Sequence, residues 1–108
     1  MIIKYNKLVR DRIPEIIREK GGKPATHTVV DAEYIVKLNE KLKEEVEEYL
    51  ESESNEELAD ILEIIYAICH LKGLDKRELE EIRKRKADEK GRFEKKIILE
   101  CVEEQEND

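Results

Sequence analysis

Apolar residues recur at three- and four-residue intervals through the middle of the chain, the spacing of amphipathic helices. Ile35, Leu38, Leu42, Val46 and Tyr49 share one helical face, and Leu58, Ile61, Ile65 and Ile68 share another. Asp31 is placed to cap the first of these helices, which runs to about Glu51, and Ser54 or Asn55 to cap the second, which ends near Gly73. Asp75, with Glu78 three residues on, has the capping-box pattern for a further helix that Gly91 ends. Upstream, "MIIKYNKLVRD" mixes apolar and basic residues and reads as an extended arm. "RIPEIIREKGG" reads as a short helix with Pro14 in its first turn and Gly21-Gly22 at its end. The β-branched "KPATHTVV" and the apolar "FEKKIILECVE" read as short strands able to pair with each other, and "EQEND" as a polar tail. The expected fold is mainly α, a small four-helix bundle in one domain spanning residues 1–108, with a short two-stranded β element at most.

Composition narrows the class. Charged residues make up 45% of the 108 and aromatics 5%, which suits charged-faced helices and not a β-sandwich. The apolar fraction of 39% is low for a monomer, so burial between subunits is expected. A net charge of −7 argues against non-specific nucleic-acid binding, although cations can bridge an acidic protein to a phosphorylated ligand. No apolar run reaches the roughly 20 residues of a membrane span, and no signal-peptide core opens the chain. Cys69 and Cys101 lack metal-like spacing and read as two buried thiols in a reducing cytoplasm.

The chemistry lies in two acidic pairs, Glu45/Glu48 and Glu57/Asp60. Each pair is spaced to put two carboxylates one turn apart on one helical face. The short connection "SESN" between the segments predicts antiparallel packing, which brings all four acids to one spot. Glu45 falls within the apolar stripe of its helix, roughly 20° from Leu38, with Glu48 at the edge. Glu57 falls within the stripe of the next helix, with Asp60 at the margin. Glu47 and Glu63 point away, as solvating acids do. An ionised carboxylate in a packing face needs compensation, from a bound cation or from a buried Lys or Arg. The bland reading is that Glu-x-x-Glu spacings arise by chance in an acidic chain, and that Ser54-x-x-Glu57 is simply a capping box.

"EEVEE" followed by "ELAD" resembles the Glu-Glu-x-x-Glu and Glu-x-x-Asp motifs of the MazG-like, all-α nucleoside triphosphate pyrophosphohydrolase superfamily. "NKLVRDRIPEII" and "GRFEKKIILE" resemble the flanking segments of its phosphoribosyl-ATP pyrophosphohydrolase-like branch, so the likeness extends over almost the whole chain. The resemblance implies cleavage of a nucleoside triphosphate, or a related nucleotide, between the α and β phosphates. It implies Mg²⁺, with Mn²⁺ as a substitute, held by Glu45, Glu48, Glu57 and Asp60. It also implies assembly as a homodimer or homotetramer. Glu44 or Glu48 is then the candidate to deprotonate or orient the attacking water. Candidates for the outer phosphates are Lys7 and Arg10 in the arm, which flank the apolar pair Leu8-Val9, and Lys84, Lys86, Lys90 and Arg92 late in the chain. The bland reading of "RKRK" at 83–86 is a solvated face helped by the helix macrodipole. His27 and His70 read as structural or neutral, and Tyr5, Tyr34, Tyr49, Tyr66 and Phe93 are too scattered to assign to a base. The gap from Glu48 to Glu57 is shorter than in many superfamily members, so the loop must be tight and base recognition by a longer loop is missing or supplied elsewhere. Two alternatives stand beside nucleotide-pool house-cleaning: phosphoribosyl-ATP hydrolysis in histidine biosynthesis, and a non-catalytic helical oligomerisation module.

Overall fold

The computed structural model describes residues 1–105. Among them are four helices, α1 (Ile13–Glu19), α2 (Asp31–Ser52), α3 (Asn55–Lys72) and α4 (Lys76–Lys90). The chain is mainly α, as its periodicity dictates. It resolves into two compact units, Met1–Lys76 and Arg77–Asp108. The first unit holds the extended arm, α1 and the packed pair α2 and α3. The second holds nearly all of α4 and the segment after it.

The connection between α2 and α3 is only two residues long. Glu53 caps α2 in the left-handed region (φ 53°, ψ 26°), and its N–H donates to the Tyr49 carbonyl at 2.7 Å. Ser54 follows in extended backbone and caps α3, its Oγ accepting from the Glu57 N–H at 3.4 Å. A left-handed residue next to an extended one reverses the chain in minimal length, so α3 folds back along α2. Gly73, at φ 74°, closes α3 in the left-handed conformation that glycine adopts without a Cβ clash. At the start of α2, Val30 takes the N-cap position and Asp31 is the first helical residue, one place later than its capping chemistry suggested.

The core is the seam between α2 and α3. Leu38 from α2 and Ile64 and Cys69 from α3 are its buried apolar residues, with Ile35, Leu42, Ile61, Ile65 and Ile68 half-buried around them. Glu45 is buried among them. Val46 and Leu58 lie outside this seam, contrary to their place on the expected apolar faces. Two helices bury one stripe each, and residues flanking that stripe stay in solvent unless a third surface covers them.

The two expected strands do not form. Neither 23–30 nor 93–103 has strand structure in the described residues, and Ile97, Ile98 and Leu99 are exposed. A two-stranded ribbon without further cover is marginal in water, and β-branched composition does not supply the missing partner. Cys101 is accordingly exposed, while Cys69 is buried as expected, and both thiols are free. No helix among the described residues is long and apolar enough to cross a membrane.

Candidate metal centre

Five carboxylates converge on the α2–α3 seam. Glu44, Glu45 and Glu48 project from α2 and form one group whose oxygens lie within 4.8 Å of one another. Glu45 forms a second such group with Glu57 and Asp60 of α3. Glu45 belongs to both and is the centre of the cluster. It is also the most enclosed of the five, at 6% exposure, whereas Glu48 lies in solvent at the edge. The placement follows from helical phase: Glu45 is two turns from Leu38 on the same stripe, so whatever buries Leu38 also buries Glu45. The two-residue turn brings Glu57 and Asp60, in the first turns of α3, level with it.

Two oxygens define the electrostatic problem. Glu45 Oε2 and Glu57 Oε2 are both buried without a hydrogen-bond partner. Two ionised carboxylates cannot donate to each other, so their pairing is satisfied only with a proton or a cation between them. The Glu57 carboxyl is accordingly pushed up to about 7. The leading cause is a hydrogen bond with Glu45, which requires that proton; burial and the charges of Glu48, Glu45 and Asp60 add to it.

Three cations already border the cluster. Lys7 Nζ lies 2.7 Å from Glu44 Oε1, and Arg10 Nη2 lies 2.7 Å from Asp60 Oδ1. Lys41 Nζ lies 3.3 Å from Glu45 Oε1 and 3.6 Å from Glu44 Oε2. The Lys7 hydrogen bond is the main reason the Glu44 carboxyl sits below the usual carboxylate range, and it raises Lys7 in turn. Five acids against three bases leave two negative charges uncompensated when all are ionised. None of the three bases reaches the orphaned oxygens of Glu45 and Glu57.

The donor set fits a hard divalent cation. Every ligand is a carboxylate oxygen, and spacings within 4.8 Å suit oxygens about 2.0–2.6 Å from a shared ion. Thiolate or imidazole is absent from both groups: Cys69 and both histidines lie outside them.

The sequence-derived residues divide sharply. Glu44, Glu45, Glu48, Glu57 and Asp60 converge, and Lys7 and Arg10 reach the cluster from the arm. Lys86 and Arg92 belong to the second unit, where both are exposed; Arg92 Nη1 stands 4.0 Å from Glu94 Oε1. Glu47, Glu63, His27 and His70 are exposed, in keeping with a solvating or neutral role. Lys41 was missed. Its signal was available, because it precedes Glu44 and Glu45 by three and four residues, the spacing of helical ion pairs.

No family model matches the chain, and no solved structure matches it. A stretch of 42 residues, 39% of the chain, is 55% identical to 43% of the length of a protein of Mycolicibacterium smegmatis described as uncharacterized.

Proposed function

We propose that the chain is a Mg²⁺-dependent nucleoside triphosphate pyrophosphohydrolase, splitting its substrate between the α and β phosphates into a monophosphate and pyrophosphate. The observation that carries this reading is the pair of buried, unpartnered oxygens on Glu45 and Glu57 at the centre of a five-carboxylate cluster. An oligomerisation module has no use for such a pair, which opposes folding unless a proton or cation relieves it. The resemblance of "EEVEE" and "ELAD" to the superfamily's acidic motifs supplies the reaction.

In this reading Glu45, Glu48, Glu57 and Asp60 hold the metal. A Mg²⁺ ion held by these residues would supply charge neutralisation at the phosphoryl group and a more acidic water. Glu48, exposed at the edge of the cluster, or Glu44 would deprotonate or orient the attacking water. Lys7 and Arg10 turn from Glu44 and Asp60 to the substrate's phosphates. Val36, Val46, Leu50, Leu58 and Leu62 leave exposed apolar surface on α2 and α3, which supports a homodimer or homotetramer. The proposed setting is cytoplasmic nucleotide house-cleaning.

The test is pyrophosphate release from a panel of canonical, deoxy- and damaged nucleoside triphosphates and phosphoribosyl-ATP, with Mg²⁺ and with chelator. Release is expected with Mg²⁺ alone, and Glu48→Gln or Asp60→Asn should abolish most of it. Unchanged release from both variants would refute the assignment. Preference for phosphoribosyl-ATP would place the chain in histidine biosynthesis instead.

A further inference from the structure

The second unit carries a run of charge opposite to that of the whole chain. Residues 83–96 hold eight basic side chains against three acids, a net of +5 in a chain whose total is −7. All of them but Ala87 are exposed. Past α4 the backbone turns sharply: the Lys96 N–H donates to the Phe93 carbonyl at 3.2 Å, and Lys96 stands at φ 58°. Ile97 and Ile98 come back beside Phe93, and the three line a cleft of about 290 Å³ whose other walls are Arg92, Lys95 and Lys96. No acid lines it. Arg92 reaches Glu94 only at 4.0 Å, and Lys95 and Lys96 have no ion-pair partner among the described residues. Phe93, Ile97, Ile98 and Leu99 are 97%, 77%, 83% and 77% exposed.

Two unlike demands meet in this segment: its cations lack anions, and its apolar side chains lack cover. Pairing the segment with its own copy would set +5 against +5. A nucleic acid would answer the cations, but its bases stack on aromatic rings, and here one ring stands beside three aliphatic chains. An anionic bilayer surface answers both, with charge from its headgroups and cover at the acyl boundary. We infer that residues 83–99 dock the chain peripherally on an anionic lipid bilayer. Phe93, Ile97 and Ile98 insert at the headgroup–acyl boundary, and Arg92, Lys95 and Lys96 meet the headgroup phosphates. Residues 97–105 form neither helix nor strand, so their N–H and C=O groups need water and hold the insertion short of the hydrocarbon core. The acidic remainder of the chain is repelled by the same headgroups, which confines the contact to this segment and makes it salt-sensitive. Nothing in this docking depends on the acidic cluster or on the reaction proposed for it.

The test uses the full chain with vesicles of equal parts phosphatidylcholine and phosphatidylglycerol, and with pure phosphatidylcholine vesicles for comparison. The chain has no tryptophan, so Phe93→Trp places a single reporter at the inserted position. Its emission should shift to the blue with the mixed vesicles and be quenched by lipids brominated on their acyl chains, and pure phosphatidylcholine should produce neither effect. In flotation, Lys95→Gln combined with Lys96→Gln should weaken partitioning to the mixed vesicles roughly 25-fold, about fivefold per cation. Lys95→Arg combined with Lys96→Arg should keep it. Phe93→Ser should weaken it about tenfold and leave its salt dependence unchanged. Unshifted tryptophan emission, or equal binding to the two kinds of vesicle, would overturn the proposal. Binding of polyuridylate without binding of vesicles would overturn it in favour of a nucleic-acid cleft. A dimer that Phe93→Ser dissolves, with no vesicle binding, would overturn it in favour of a contact between copies.

Discussion

Glu45 on α2 and Glu57 on α3 face each other across the helix seam, each with one buried carboxylate oxygen that no protein donor reaches. The pair is a frustrated contact in the metal-free chain, and its relief by a proton has a definite pH signature. Glu57 is raised from 4.5 to about 7 in the fold, so between those values the folded chain binds more protons than the unfolded one. Its contribution therefore favours folding at low pH and is lost as pH rises through about 7. Metal-free protein should show a falling melting temperature across that window, and saturating Mg²⁺ should flatten the fall. Cation affinity should run the other way, weakening as pH drops below about 7 because the proton occupies the same oxygens. A thermal-shift series against pH, with Mg²⁺ and with chelator, measures both slopes.

Replacing Glu57 with glutamine separates stability from metal binding. Glu57→Gln removes a charge from a crowded set of acids and supplies an amide donor toward Glu45. The metal-free variant should melt higher than the parent and lose the pH slope described above. Its Mg²⁺-induced rise in melting temperature should largely disappear. A variant that melts lower and still responds to Mg²⁺ would contradict the view of Glu57 as a strained ligand.

The arm's cations compete with any metal for two of the acids. Arg10→Ala frees Asp60 from an exposed ion pair, with the Arg10 side chain 58% accessible. The stability change should stay within about 1 kcal/mol, as for other surface pairs. Mn²⁺ affinity without nucleotide should rise by up to about fivefold, the equivalent of one close charge interaction in water. Under the proposed function, in which Arg10 turns to the substrate's phosphates, nucleotide hydrolysis should nevertheless fall.

The turn that sets the site carries a removable cost. Glu53 holds φ 53° without being glycine. Glu53→Gly should stabilise the hairpin by up to about 1 kcal/mol, the left-handed penalty less the extra entropy of the unfolded glycine chain. Chemical denaturation at fixed ionic strength checks it. The Mn²⁺ affinity should be retained, because the turn geometry is unchanged.

The seam itself depends on Leu38, which is 2% exposed. Leu38→Ala should cost about 2–5 kcal/mol. Because Glu45 lies two turns along the same stripe, the variant should also bind Mn²⁺ more weakly than the parent at temperatures where it remains folded. Circular dichroism and Mn²⁺ titration on one sample distinguish the two effects.

The helices and the acidic cluster were legible because both depend on local periodicity. The phase relation between Leu38 and Glu45 is intrinsic to an α-helix, so the sequence could mark Glu45 as an acid inside a packing face and Glu47 as one outside it. Ser54 as the cap of α3 was equally local, a short side chain answering an orphaned N–H one turn on. The expected strands failed for the complementary reason. A strand is defined by its ladder partner, and the composition of 23–30 and 93–103 carries no information on whether a partner is within reach. Cys101 went with them, and Val46 and Leu58 followed the same logic, since an apolar stripe states what can be buried and not how much surface arrives to bury it.

Sequence by itself determined the α class, the spacing of the four central acids and the tightness of the turn between them, all consequences of helical geometry over a few residues. Only the tertiary structure decided that Glu45 and Glu57 share a solvent-excluded contact and that Lys7 and Arg10 cross from the arm to Glu44 and Asp60. Those relations join residues from twelve to fifty positions apart. They are set by how closely α2 and α3 pack and where the arm docks, and a helical repeat constrains neither.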